Sequence, residues 1–237
     1  MSLGEILSDA ISYPFSDITK FLIVGILALL AGISSVFFPQ GGDGVIFILL
    51  AIIGIIFAVI LSGYGVSVIR NAIRNSDEIP GVEPVANIID GIKVAIIGIV
   101  YYIIPIIIAL IIAFALGLIG AGLNQVSAMV SIAGLITVIL FILFTIFEIV
   151  AVARFADTGE LGAALSIGAV IEDAKRVGIL NIILFTIVAV ILIFVLSLII
   201  SILAIIPFIG IIIGIIILGG FMTLFYYRGI GLLYASA

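Results

Sequence analysis

Few side chains in this sequence could do chemistry, and one of them is out of place. In "TIFEIVAVARFADTGE" (145–160), Glu148 stands between Phe147 and Ile149, six residues before Arg154. A carboxylate inside an apolar run can accept a proton, hold a cation or bond to a neighbouring helix. Six residues is about 9 Å of helical rise and about 240° of rotation, so Arg154 does not share its face. Glu148 therefore needs a partner from another helix, water or a proton.

Three further acids come with a base three residues on: Asp17 with Lys20, Asp90 with Lys93, and Asp173 with Arg176. Groups three apart on a helix face the same side and can pair. An acid at a helix start complements the helix dipole, and a base suits an anionic lipid surface. An apolar run precedes each of three further arginines, Arg70, Arg154 and Arg228. Pairs of this kind set topology. Their other reading is a ring of charges around a threefold opening, an arrangement that mitochondrial carriers also use. There the motif follows a proline at the end of the odd helices; here it lies at their start, so the likeness is analogy alone.

The elements that carry these groups are set by composition. The chain has 237 residues, 66% hydrophobic and 9% charged, against about 25% charged in soluble domains. Mean hydropathy is +1.66. A water-soluble fold of this size would lack polar side chains to cover its surface, so the expected solvent is lipid. Without cysteine or histidine, disulfides, thiolate sites and the commonest general base are excluded. The net charge of −5 gives no basic footprint for nucleic acid. Signatures of nucleotide binding, zinc proteases and serine hydrolases are missing from the chain. The apolar runs hold no aspartate pair for an intramembrane protease.

Six runs are long enough for about 30 Å of hydrocarbon. They cover 18–38, 45–69, 94–120, 128–153, 177–206 and 208–233. The links "PQGGDG" (39–44), "GAGLNQVSA" (120–128) and the turn at Pro207 are short and carry no lysine or arginine. The links 70–93 and 154–176 are longer and charged. The positive-inside rule then predicts both termini and both long links in the cytoplasm. The first residues lack a basic leader and predict an amphipathic helix, with Ser2 and Glu5 at capping-box spacing and Pro14 at its end. Residues 84–93 and 158–176 predict two more such helices, the first opened by Pro84, the second by Asp157 and Glu160.

The potassium-filter look of "SGYGVSV" (62–68) is discounted, because it lies in a continuous apolar run rather than a re-entrant loop. Its glycines, and the pair Gly210 and Gly214, read instead as close helix contacts. Pro105 reads as a kink. Tyr101, Tyr102, Tyr226 and Tyr227 are too scattered for a cofactor site, and the last two read as interface anchors.

Four stretches, "DAISYPFSDITKFLIVGIL" (9–27), "GYGVSVIRNAIRNSDEIPGVE" (63–83), "NIIDGIKVAIIGIVYYIIP" (87–105) and "ARFADTGELGAALSIGAVIEDAKRVG" (153–178), together resemble a family of multi-pass membrane proteins, the domain of unknown function 4013. The resemblance extends over nearly the whole chain. In the family's usual pattern a glycine-containing turn comes before the proline that follows the second span; here Gly81 follows Pro80. The resemblance implies a prokaryotic, archaeal-type cytoplasmic membrane and brings no activity or ligand with it.

The sequence thus predicts an all-α integral membrane protein, one transmembrane domain over 1–237. It has six transmembrane helices as three hairpins, each preceded by a short cytoplasmic interfacial amphipathic helix. The pseudo-threefold repeats cover about 1–74, 75–157 and 158–237. The expected role is a non-enzymatic structural or accessory protein that binds membrane lipids or a membrane partner, with a homo-oligomer as one form of the latter. The rival is a small-solute or ion transporter using Glu148, and a lipid-modifying enzyme ranks last. No cofactor, metal or nucleic acid is expected. Candidate binding residues are Glu148, Arg154, Asp17, Lys20, Asp90, Lys93, Asp173, Arg176, Arg70 and Arg228.

Overall fold

A computed structural model describes the chain except residues 39–40, 121–125, 204 and 207–208. Among the described residues it is all helix, without strands. Helix α1 (Leu3–Ser12) is held at its start by a capping box. The Ser2 backbone N–H donates to Glu5 Oε2 at 2.7 Å, and the Glu5 N–H donates to Ser2 Oγ at 3.3 Å. These two bonds to Ser2 hold the Glu5 carboxyl below the usual carboxylate range. A short 3-10 turn (Tyr13–Phe15) containing Pro14 then turns the chain by 89° into α2 (Ile18–Ala31).

The remaining long helices are α4 (Val45–Ile73), α5 (Pro84–Gly120), α6 (Val126–Thr158), α9 (Ile179–Leu203) and α10 (Ile209–Ala235). By length and composition these five can cross a membrane, and α1 with α2 makes a sixth if the bent pair counts as one span. The first predicted span is not one helix. It stops at Gly32 and resumes as α3 (Ile33–Phe37), where glycine and two serines weaken the helix. The predicted outer turns fall in part on residues 39–40, 121–125 and 207–208, outside the described residues.

Two expected interfacial helices need correction. Residues 84–93 do not form a separate element; Pro84 does open a helix, but that helix runs on unbroken for 37 residues, through Pro105. The reason is Gly91. A Cβ there would strike the Val59 backbone oxygen of α4, and one at Gly63 would strike the Asn87 oxygen of α5. The glycine serves close helix contact instead of a turn. The third segment is two pieces, α7 (Leu161–Leu165) and α8 (Ile167–Val177), parted at Ser166. Asp157 still belongs to α6, and no side chain caps α7, so the predicted capping box is absent there. Gly178, at φ 90°, then permits the sharp exit into α9 that a Cβ would strain.

Helices α4, α6 and α10 touch one another. Helix α2 packs between α4 and α10, and α5 packs between α4 and α6. Helix α9 packs well on α10 but only lightly on α6. Small residues make the tight crossings: Gly25 of α2 meets the Ile216 backbone of α10, and Gly220 of α10 faces Phe21 and Gly25. The buried core gathers near the charged end, around Tyr64, Ile69, Phe155, Phe185, Leu224 and Phe225. The opposite ends are covered in exposed isoleucine and leucine, as lipid-facing helices require.

Substituting Gly63→Val should lower stability by about 3 kcal/mol, because the methyls meet backbone that cannot yield. Gly4→Ala meets open space on α1 and should raise it by up to about 1 kcal/mol. Thermal unfolding in detergent reads both, and equal melting points would refute the α4–α5 packing described.

Candidate functional site

The predicted acid–base pairs form, but loosely. Lys20 Nζ lies 3.8 Å from Asp17, Lys93 Nζ 3.8 Å from Asp90, and Arg176 3.5 Å from Asp173. Only Asp17 caps a helix, accepting from the Lys20 N–H at 3.0 Å. Asp90 lies inside α5 and Asp173 near the end of α8, so the dipole argument fails for both.

Asp90 and Asp173 have closer partners in two arginines of the returning helices, Arg70 and Arg154, while the third, Arg228, reaches Asp9 rather than Asp17. Arg70 Nη2 donates to Asp90 Oδ2 at 3.2 Å, and Arg154 Nη1 to Asp173 Oδ2 at 2.6 Å. Arg228 grips Asp9 through Nε and Nη2, at 2.7 and 3.2 Å. Each also donates to a carbonyl of a different segment: Arg70 to Ala156, Arg154 to Ala163, Arg228 to Ser76. Sequence spacing favoured the neighbour three residues away. The fold supplies a planar guanidinium with several donors from another helix, a stronger partner than a mobile ammonium.

Arg228 is the most enclosed of the three, 2% exposed. Besides Asp9 it donates to Asp77 at 2.7 Å and lies 4.7 Å from the Tyr13 ring centre. Burial pushes the Tyr13 phenol up, against the opposing Arg228 charge. Its hydroxyl therefore stays a donor, bonded to Glu78 O at 3.0 Å. Asp9 and Asp77 are functional candidates that the spacing argument missed; neither an acid on the face of α1 nor one in the link between α4 and α5 carries a motif. Asp173 is a second node, accepting also from the buried Tyr234 hydroxyl at 2.8 Å.

Glu148 takes part in none of this. Among the described residues no hydrogen bond or ion pair holds its carboxylate, and its side chain is half-buried on α6. Tyr102 of α5 reaches α6 elsewhere, stacking on Phe141 at 6.1 Å and sharing a hydrogen bond with Thr145 at 3.0 Å. Tyr226 and Tyr227 face the bundle, Tyr226 stacking on Phe185 at 6.1 Å and Tyr227 covering Gly65.

A groove of about 510 Å³ opens between α6 and α9. Thr137, Phe141 and Thr145 line it from α6, and Ile183, Thr186 and Val190 from α9. The Thr145 and Thr186 hydroxyls turn back to their own helix carbonyls, at 2.8 Å each, which leaves the walls apolar. Glu148 stands one turn beyond Thr145 on α6, outside the residues that line this groove. Toward the charged end Ile149, Val150, Ile182 and Tyr234 close the α6–α9 seam to a void of about 10 Å³. Among the described residues no three acidic groups stand together to hold a metal ion.

Comparison with known families matches residues 46–205 to a protein of unknown function, DUF4013. The matched segment begins after the first of the four quoted stretches. No curated protein and no solved structure matches the chain.

Exchanging Arg70 and Asp90 (Arg70→Asp with Asp90→Arg) should recover more stability than exchanging Asp90 and Lys93, which leaves Arg70 facing a cation. Thermal unfolding of both double variants and their singles decides it; better rescue by the Asp90–Lys93 exchange would refute the assignment. Arg228→Ala should cost about 2–3 kcal/mol and free α1, read as faster proteolysis before Pro14.

Proposed function

The chain belongs to the DUF4013 family, whose description gives no activity, and from its own geometry we propose that it is a non-enzymatic membrane protein that holds the apolar chain of a membrane lipid between α6 and α9. The observation that carries this is the groove. Its volume of about 510 Å³ falls within the range of small-molecule sites, and its walls offer hydrocarbon on both sides.

The wider reading is a pseudo-threefold bundle of three hairpins. The mutual contact of α4, α6 and α10 supports it, with α2 and α5 each seated between two of them. So does the recurrence of an arginine at each returning end that reaches an aspartate from another segment. On this plan α9 belongs between α6 and α10 as α5 sits between α4 and α6. Its weak hold on α6 is where the plan leaves room for a lipid. Charge placement supports six spans with both termini and the ion-paired end in the cytoplasm. Transport is the second reading, favoured by the unpaired carboxylate of Glu148.

The test is lipid retention. Protein purified in mild detergent and examined by native mass spectrometry should carry lipid. Thr186→Phe with Val190→Phe fills the groove and should cut occupancy at least tenfold, about 1.4 kcal/mol. Equal retention by a folded double variant would sink the lipid reading, and a solute flux in liposomes abolished by Glu148→Gln would put transport in its place.

A further inference from the structure

We propose that the cleft between α9 and α10 is a second binding site, and that it takes an uncharged, lipid-soluble molecule through a carbonyl oxygen held by tyrosine hydroxyls. The site is separate from the α6–α9 groove and stands on its own residues.

The starting point is a set of hydroxyls without an acceptor. A hydroxyl in apolar surroundings costs free energy unless it is hydrogen-bonded. Neighbouring hydroxyls meet that need within the protein. Thr145 and Thr186 donate to carbonyls of their own helices at 2.8 Å each, Tyr101 donates to Ala164 O at 2.9 Å, and Tyr102 pairs with Thr145. Thr223, Tyr226 and Tyr227 of α10 differ. Among the described residues none of the three hydroxyls has a hydrogen bond, and no buried side-chain oxygen lacks one, so all three keep open surface. All three border the same space, a cleft of about 390 Å³, with Thr186, Ala189 and Val190 opposite on α9.

The two phenols are also held in place. Tyr226 stacks on Phe185 at 6.1 Å, and the Tyr227 ring occupies the space that a Cβ would take at Gly65 of α4. The two rings meet edge to face at 5.7 Å. Donors fixed before a ligand arrives lose little freedom in binding it.

The lining decides the class of ligand. At neutral pH a phenol carries its proton and donates, so the ligand presents an acceptor. No acidic or basic side chain lines the cleft. Arg228, next in sequence to Tyr227, has Nε, Nη1 and Nη2 committed to Asp9, Ser76 and Asp77. An ionic head would therefore be buried without a counter-charge, which costs more than hydroxyls return. The rest of the wall is alkyl and thioether, from Ala189, Val190, Ile193 and Met222. Val190 and Ile193 are also exposed on the outer surface, so entry is sideways from the bilayer. An apolar skeleton carrying a carbonyl satisfies both the wall and the donors.

The experiment places the full chain in nanodiscs of an ether-linked phospholipid, which has no carbonyl, with empty nanodiscs as the partition control. The probes are a long-chain ketone, isotopically labelled at its carbonyl carbon, and the alkane of the same length. The ketone should bind about tenfold more tightly than the alkane, about 1.4 kcal/mol, and its infrared carbonyl stretch should move to lower wavenumber. Tyr226→Phe with Tyr227→Phe keeps the rings and should remove both the preference and the shift, leaving alkane binding and thermal unfolding unchanged. Thr186 and Val190 border both spaces, so the groove is filled from α6 instead. Val138→Phe with Ile142→Phe, at residues that line the groove alone, should leave ketone binding intact, whatever becomes of the lipid-chain reading. Ester-linked nanodiscs then identify the source. Weaker ketone binding there means that bilayer ester carbonyls compete for the phenols, and equal binding means that a free carbonyl compound is the ligand. Equal binding of ketone and alkane, binding of neither, a preference that survives loss of both hydroxyls, or ketone binding lost when only the groove is filled overturns the proposal.

Discussion

A guanidinium denied bulk water must spend its donors on the protein. That constraint organises the charged end of the molecule. Each of Arg70, Arg154 and Arg228 gives Nε or a terminal nitrogen to a carbonyl from another segment and a second nitrogen to an aspartate. An arginine placed this way joins three pieces of chain at one point. Apolar helices in lipid have no hydrophobic force to bring them together, so these points do much of the work of fixing which helix follows which.

Packing supplies the rest. Gly63 and Gly91 let α4 and α5 approach until backbone meets backbone, and Gly25 and Gly220 do the same for α2 and α10. Where such residues are lacking, helices stand further apart. The groove wall on α9 is built of Ile183, Thr186, Ile187 and Val190, with no glycine to draw α6 in. The groove is thus the complement of the small-residue seams: the same chain closes these two crossings tightly and holds another open.

Much of the helical frame was legible. Ser2 and Glu5 announced their capping box, Pro84 its helix start, and the apolar runs matched α4, α6, α9 and α10 within a few residues. What failed did so for identifiable reasons. A run of apolar residues does not reveal a break at Gly32 or continuity through Gly91, since one residue type serves both a turn and a close contact. The acids were read against bases three residues away, because sequence displays local neighbours and hides a partner such as Arg70, 20 positions from Asp90. Glu148 was found, but its setting was not. An isoleucine facing lipid and one facing a groove look alike in sequence, and Tyr102 meets Thr145 only through the fold.

Arg228 lies on α10, and its main partner, Asp9, lies on α1, 219 positions earlier. During synthesis α1 leaves the ribosome well before α10 and must wait for it. Through that interval its inner face, with Ile6 and Ala10 destined for burial, has no seat. The insertion machinery therefore handles an amphipathic helix whose docking site on α10 is made much later. Closure of the bundle waits on α10, and a polypeptide that stops short of it leaves α1 unanchored.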